Sequence, residues 1–306
     1  MLPFSSKHIT TILFSPFRIF ANIWAVKIFL IGFITVNFLM YPLQGSPKRP
    51  TIAKNHIADI NQEEAETLLK ALREYRLSGD FIFTFNLIHY PYREDEITLS
   101  GTLYGTADEN GPILRIHLKQ VNGENDRLLL KNGTSPRSWK KTKNEVKELK
   151  GAELLVPVSE NFVYTPFDFQ MPFIHWPKFS YTGSKRVKGR PTYIFQMIPP
   201  DSTQEIQPDL KFIEIALDAN YNAMVRVNMV SQNDKTFKQI EILSLKKTQG
   251  QYIPKIVDLL NKENRSKTRF KVTGAALNLN LPKSLFIPEN LNKPLPFIQG
   301  AEFEEF

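Results

Sequence analysis

The side chains of this chain that could do covalent or metal chemistry are few and far apart. Of its five histidines, four lie beyond the first 45 residues: His56, His89, His117 and His175. A zinc site draws on ligands closely spaced in sequence or converging in space, and these spacings supply no local pair. Cysteine is absent, which removes thiolate nucleophiles, disulfides and cysteine-held metal clusters together. No G-x-S-x-G elbow, H-E-x-x-H helix, phosphate-cradling glycine loop or G-x-G-x-x-G turn occurs. The acidic run Glu94-Asp95-Glu96 sits between apolar stretches and reads as a solvated turn. Carboxylates can converge from distant strands, so a hydrolase of envelope polymer stays a third reading that an exposed acidic cleft would revive. The residues themselves point to no enzyme, with no catalytic set, no metal ligands and no cofactor.

Charge is concentrated in two places. Arg137, Lys140, Lys141, Lys143, Lys147 and Lys150 form one basic cluster around Trp139, and Lys185, Arg186, Lys188 and Arg190 form another. Lysines guard the edges of antiparallel sheets against pairing with other chains. The alternative is attraction to an anionic membrane surface, at about 1 kcal/mol per cation. The net charge is +8, of which Lys7, Arg18 and Lys27 supply three within an N-terminal segment free of acids. The remainder is too modest to argue for nucleic acid.

Apolar chemistry is denser. Residues 157–179 hold four prolines and seven aromatics. Proline at this density excludes a long helix or a central strand. So apolar a loop must lie on something, as a plug closing one end of a core, as a lid over a ligand cavity, or as both at once. Its Phe167, Phe169, Phe173 and Trp176, with Leu68, Leu72, Phe81, Phe83 and Phe85, are the candidate lining of such a cavity. Plain core packing is the alternative for each.

The elements that must position these residues are legible from periodicity. Asn61 and Glu64 form a capping box, and Ala65, Leu68, Leu69, Leu72 and Tyr75 recur at helical spacing up to Ser78-Gly79. Phe81, Phe83, Phe85 and Leu87 then alternate with Ile82, Thr84, Asn86 and Ile88, and further strands are expected around 97–103, 114–118 and 128–130. From 192 to 291 six more alternating runs follow, joined by short turns. Such a meander commonly buries one face and wets the other. Before all this, Lys27 is followed by the apolar run Ile28–Met40 and a polar start at Ser46. That is the order of a secretory signal, shorter than the roughly 20 residues that span a bilayer comfortably. We expect a signal peptide, or an uncleaved anchor in the inner membrane, over 1–45. A mobile leader over 46–58, a single domain over 59–293 and a tail over 294–306 follow.

One stretch of the meander resembles a known family. Val187-Lys188-Gly189-Arg190-Pro191-Thr192-Tyr193 is similar to the V-x-G-R-P-x-Y turn and strand of bacterial outer-membrane lipoprotein-sorting-like proteins. These are relatives of the LolA/LolB lipoprotein carriers, grouped around a treponemal uncharacterised domain. Ile215–Asp218 with Ala223–Val227, Lys246–Pro254, and Leu285–Leu291 resemble further segments of that family, in the same order. Tyr252 replaces its usual tryptophan, and Phe167–Met171 replaces its central segment. The resemblance implies an α+β fold: a strongly curved antiparallel sheet, an incomplete, half-open β-barrel, with helices covering the concave face. It implies a periplasmic protein that binds acyl chains of lipid or lipoprotein, in sorting, transport or envelope sensing. An interaction module with a filled core is the alternative.

Overall fold

The computed structural model describes residues 58–119, 125–141, 145–295 and 302–306, all within the compact unit Asn55–Phe306. The expected signal, most of the leader and His56 lie outside the described residues. Helix α1 (Gln62–Glu74) opens on the expected capping box: Asn61 Oδ1 accepts from the Glu64 amide and Glu64 Oε2 from the Asn61 amide, each at 2.9 Å. It ends earlier than its periodicity suggests. The Arg76 guanidinium donates to the carbonyls of Arg73 and Tyr75 at 2.6 and 2.7 Å, satisfying acceptors that another turn would have used. Tyr75, expected on the buried face, is therefore 63% exposed.

Six strands follow: β1 (Asp80–Tyr90), β2 (Ile97–Ala107), β3 (Pro112–Lys119), β4 (Asn125–Lys131), β5 (Arg137–Lys141) and β6 (Val146–Leu149). A crossing segment then holds a 3-10 turn (Gly151–Leu155), helix α2 (Pro166–Gln170) and a second 3-10 turn (Pro172–His175). After it come β7 (Phe179–Val187), β8 (Arg190–Met197), α3 (Asp201–Ile206), β9 (Leu210–Asp218) and β10 (Met224–Ser231). Next are β11 (Thr236–Thr248), β12 (Gln251–Asn261) and β13 (Ser266–Leu279), then 3-10 turns Lys283–Phe286 and Pro288–Asn290, and β14 (Glu304–Glu305).

All the strands join one antiparallel sheet in the order β6-β5-β4-β3-β2-β1-β13-β12-β11-β10-β9-β8-β7, with β14 on β13. The sheet is not closed, because β6 and β7 each have a neighbour on one side only. The expected strands are all present. β5, β6 and β7 are additional, and they carry most of the two basic clusters. Exposed positions on them, such as Lys147, Ser180 and Arg186, are polar because these strands form or adjoin the sheet's edges.

The topology explains the crossing segment. The chain must pass from β6 at one edge to β7 at the other, and lies across a face of the sheet to do so. Successive strand residues face opposite ways, so β1 feeds two cores. Phe83, Phe85 and Leu87 enter the main one, and Ile82 enters a second with Tyr104, Ile113, Leu129 and Trp139 beneath residues 281–291.

Candidate functional site

Phe81 and Phe85 stand on the main-core face of β1, directly opposite Gly105 and Gly101 of β2. A Cβ on Gly105 would sit 2.0 Å from the Phe81 ring, and one on Gly101 2.4 Å from the Phe85 ring. Glycine at these two positions lets the rings lie over the β2 backbone. Phe81 stacks obliquely on Phe83 at 4.7 Å and Phe85 on Phe270 at 4.6 Å, within the favourable range for aromatic pairs.

The crossing segment supplies the opposing layer. Thr165 caps α2 through a reciprocal pair with Asp168, and Pro166 occupies the first turn, where its missing N–H costs nothing. All five α2 residues are buried. Phe167, Phe173 and Trp176 meet one another at 6.2–6.4 Å, and Phe169 meets Phe270 edge-on at 6.3 Å. Leu68 and Leu72 of α1 pack half-buried against the same cluster. All nine candidate lining residues thus meet in one apolar cluster, with Phe173 fully buried. Between the two readings of 157–179, this packing is that of a plug.

Polar bonds fasten the plug. Arg73, read from sequence only as a charge favourable at a helix end, donates to the carbonyls of Ile174 and Trp176 at 2.8 and 2.7 Å. Gln170 donates to the carbonyls of Lys131 and Arg137, and Asn132 donates to the Gln170 carbonyl. Lys238 of β11 reaches Asp168 at 2.6 Å; the Asp168 side chain is fully buried and its Oδ1 has no partner among the described residues. Sequence reasoning missed Lys238, Asp168 and Gln170 as fasteners. Their only signal was polar residues interrupting apolar runs.

Beside the plug lies an open cleft of about 470 Å³ between β5–β6, α2 and α3. Phe167 and Trp176 line it, with Leu154, Ile206, Ser138 and His175; the other seven candidates do not. Ser138 is fully buried and its Oγ has no partner among the described residues. His175 is held at a pKa of about 4, by burial first and then by Arg73 and Arg76.

The remaining histidines stay apart. His89 bonds Thr268 at 2.9 Å, and His117 accepts from Arg115 at 2.9 Å in the second core. Among the described residues no three His, Asp or Glu side chains converge as metal ligands. The basic clusters are largely compensated: Arg137 pairs with Glu148, Lys147 with Glu153, Lys185 with Glu214, Lys188 with Glu241 and Arg190 with Asp218. This is the pattern of charged sheet edges rather than of a bare cationic face. No described helix is long and apolar enough to cross a membrane.

A family model described as "Uncharacterized protein" matches residues 160–293, from α2 to the last 3-10 turns. No curated protein matches the chain in sequence. Several solved structures share its architecture. An outer membrane lipoprotein-sorting protein domain from Vibrio parahaemolyticus aligns with TM-score 0.63 and 16% identity, over 75% of this chain and 95% of its own. A DUF1329 family protein from Desulfovibrio piger aligns with TM-score 0.64 and 13% identity, over 75% and 98%. A LolA superfamily protein from Nitrosomonas europaea aligns with TM-score 0.56 and 11% identity, over 73% and 97%. At these identities the likeness speaks for the fold alone: the chain has the open antiparallel sheet of LolA-superfamily, outer-membrane lipoprotein-sorting-like domains.

Proposed function

We propose that this protein is an exported, periplasmic carrier or sensor that shelters an acyl chain of a lipid or lipoprotein, without catalysis. In this reading one domain over 59–293 wraps a strongly curved half-barrel around the plug, with α1 and the crossing segment on its concave side. The contacts of α2 support the curvature. Asp168 touches β11 while Gln170 touches β4 and β5. In a flat sheet β4 and β11 would stand roughly 29 Å apart, at about 4.8 Å per strand, whereas two helical residues rise only about 3 Å.

The observation that carries the proposal is the continuity of the nine-residue apolar cluster with the open cleft, through Phe167 and Trp176. An acyl chain laid in the cleft against those two side chains would exchange water for hydrocarbon at about 0.8 kcal/mol per CH₂. The cleft's volume lies within the range of small-molecule sites, about 300–1,000 Å³. The tight packing of Phe83, Phe173 and their neighbours favours a second reading, an envelope interaction module with a filled core.

The test is to express the chain with its own N-terminal segment, purify it from the envelope fraction and analyse extracted lipid by mass spectrometry. Near-stoichiometric acyl lipid is expected, reduced about tenfold by the joint substitution Phe167→Ala, Trp176→Ala, which from near saturation takes a loss of more than about 1.4 kcal/mol in affinity. Repeated recovery of folded, lipid-free protein would overturn the carrier reading and leave the module.

A further inference from the structure

The pairing of β13 changes partner halfway along. β12 follows it from Ser266↔Asn261 to Lys271↔Ile256 and then stops, while β1 continues on the opposite edge as far as Leu279↔Asp80. From Val272 onward one edge of β13 is therefore left by its neighbour. Segment 302–306 fills part of the vacated edge. Glu305 pairs with Gly274 and Glu304 with Ala275, and the Phe306 amide donates to the Thr273 carbonyl at 2.9 Å. Beyond it, the side-chain oxygen of Gln249 accepts from the Leu277 amide at 2.9 Å.

The other side of the slot reads the inserted side chains. Lys246 pairs with Glu304 at 2.9 Å, Thr248 donates to the same carboxylate, and Gln249 donates to the Glu302 carbonyl at 3.0 Å. The ammonium groups of Lys246 and Lys255 lie 4.9 and 5.8 Å from the Phe306 ring centroid, in cation–π range. Phe306 itself reaches the main apolar cluster. Main-chain pairing supplies affinity for any extended chain, and the side-chain pockets supply selection. The pockets here accept a carboxylate and, two residues on, an aromatic ring.

We propose that the β13 edge beyond Val272 is a strand-acceptor site for an extended acidic–aromatic peptide of a partner protein, occupied in cis by residues 302–306. Only two residues of the cis strand pair in the ladder, so its hold is short. Tethering gives it an effective concentration in the millimolar range, which a partner segment must exceed. The site is independent of the acyl-chain reading, since the residues that define it are distinct from those lining the cleft.

The experiment uses the full chain and a fluorescein-labelled peptide, Glu-Phe-Glu-Glu-Phe, followed by anisotropy. A chain with its cis strand loosened by Glu304→Ala and Phe306→Ala should bind the peptide at least about tenfold more tightly than the unmodified chain. Adding Lys246→Glu should abolish that gain, and a peptide with lysine at its third position should restore it. Hydrogen exchange at Gly274 and Ala275 checks the state of the edge in each variant: exchange should accelerate on loosening and slow again when peptide is added. Equal binding to both chains, or binding indifferent to Lys246→Glu, overturns the proposal. Dimerisation through exchanged 302–306 segments would overturn it too, assigning the slot to a second copy.

Discussion

At His117 burial and two arginines act together on one ring. Arg115 Nε donates to His117 Nε2, and the guanidinium of Arg127 lies close enough to add its repulsion. Burial first, then these two charges, lower the His117 pKa to about 3. The folded state thus holds the ring neutral, while the unfolded chain takes up its proton near the usual value of about 6.5. Stability contributed by the neutral ring is complete above pH 6.5 and is lost as pH falls from there toward 3. The slope is at most about 1.4 kcal/mol per pH unit per proton. Urea midpoints between pH 6.5 and 5, above most carboxylate titrations, should fall more steeply for the native chain than for His117→Gln, which keeps an acceptor for Arg115. Parallel slopes would place the pH dependence elsewhere, His175 being the next group to substitute.

Among the elements, α2 shows how a short helix can be held inside a protein. Its five residues are too few to form a helix in isolation. The Thr165–Asp168 cap, the proline in its first turn and the Asp168–Lys238 pair do what length does not. A buried pair of this kind adds little net stability against apolar replacements, yet removing one partner strands a charge and costs about 3–5 kcal/mol. Lys238→Met should therefore destabilise the protein by about 3 kcal/mol in urea denaturation. Adding Asp168→Asn, which leaves acceptors for Thr165, should recover most of that loss. A double variant no better than the single one would show that the carboxylate is already compensated by its cap.

For the whole molecule, the decisive event is the meeting of β1 with β13. Phe85 faces Val272 across this pairing, where strand partners such as Thr84 and Gly274 lie 190 positions apart in the chain, and it unites two meanders that otherwise only propagate outward. Long-range pairings close slowly, on the millisecond-to-second scale in all-β domains. Val272→Ala should therefore slow refolding in stopped-flow fluorescence. Val146→Ala, on edge strand β6, should mainly speed unfolding. An unchanged refolding rate for Val272→Ala would mean that one meander folds before the central pair forms.

How much of this was written in the chain depends on the range of the interaction. The Asn61–Glu64 capping box, the alternation along β1 to β4 and β8 to β13, and the short turns between them were legible, because neighbouring residues set them through fixed backbone periods. Strands β6 and β7 at the sheet's edges, and β5 beside one of them, were not: with one face wet and cations on it, their alternation read as a charge cluster. The nine apolar candidates could be named, but the sequence did not show that Phe81 and Phe85 lie over Gly105 and Gly101. Nor did it show that Arg73 and Lys238 fasten the plug, or that only Phe167 and Trp176 of the nine reach the cleft. Those facts depend on register between segments far apart in the chain. Side-chain period is a local property of the backbone, whereas register follows from which distant surfaces pack best, and only the assembled sheet decides that.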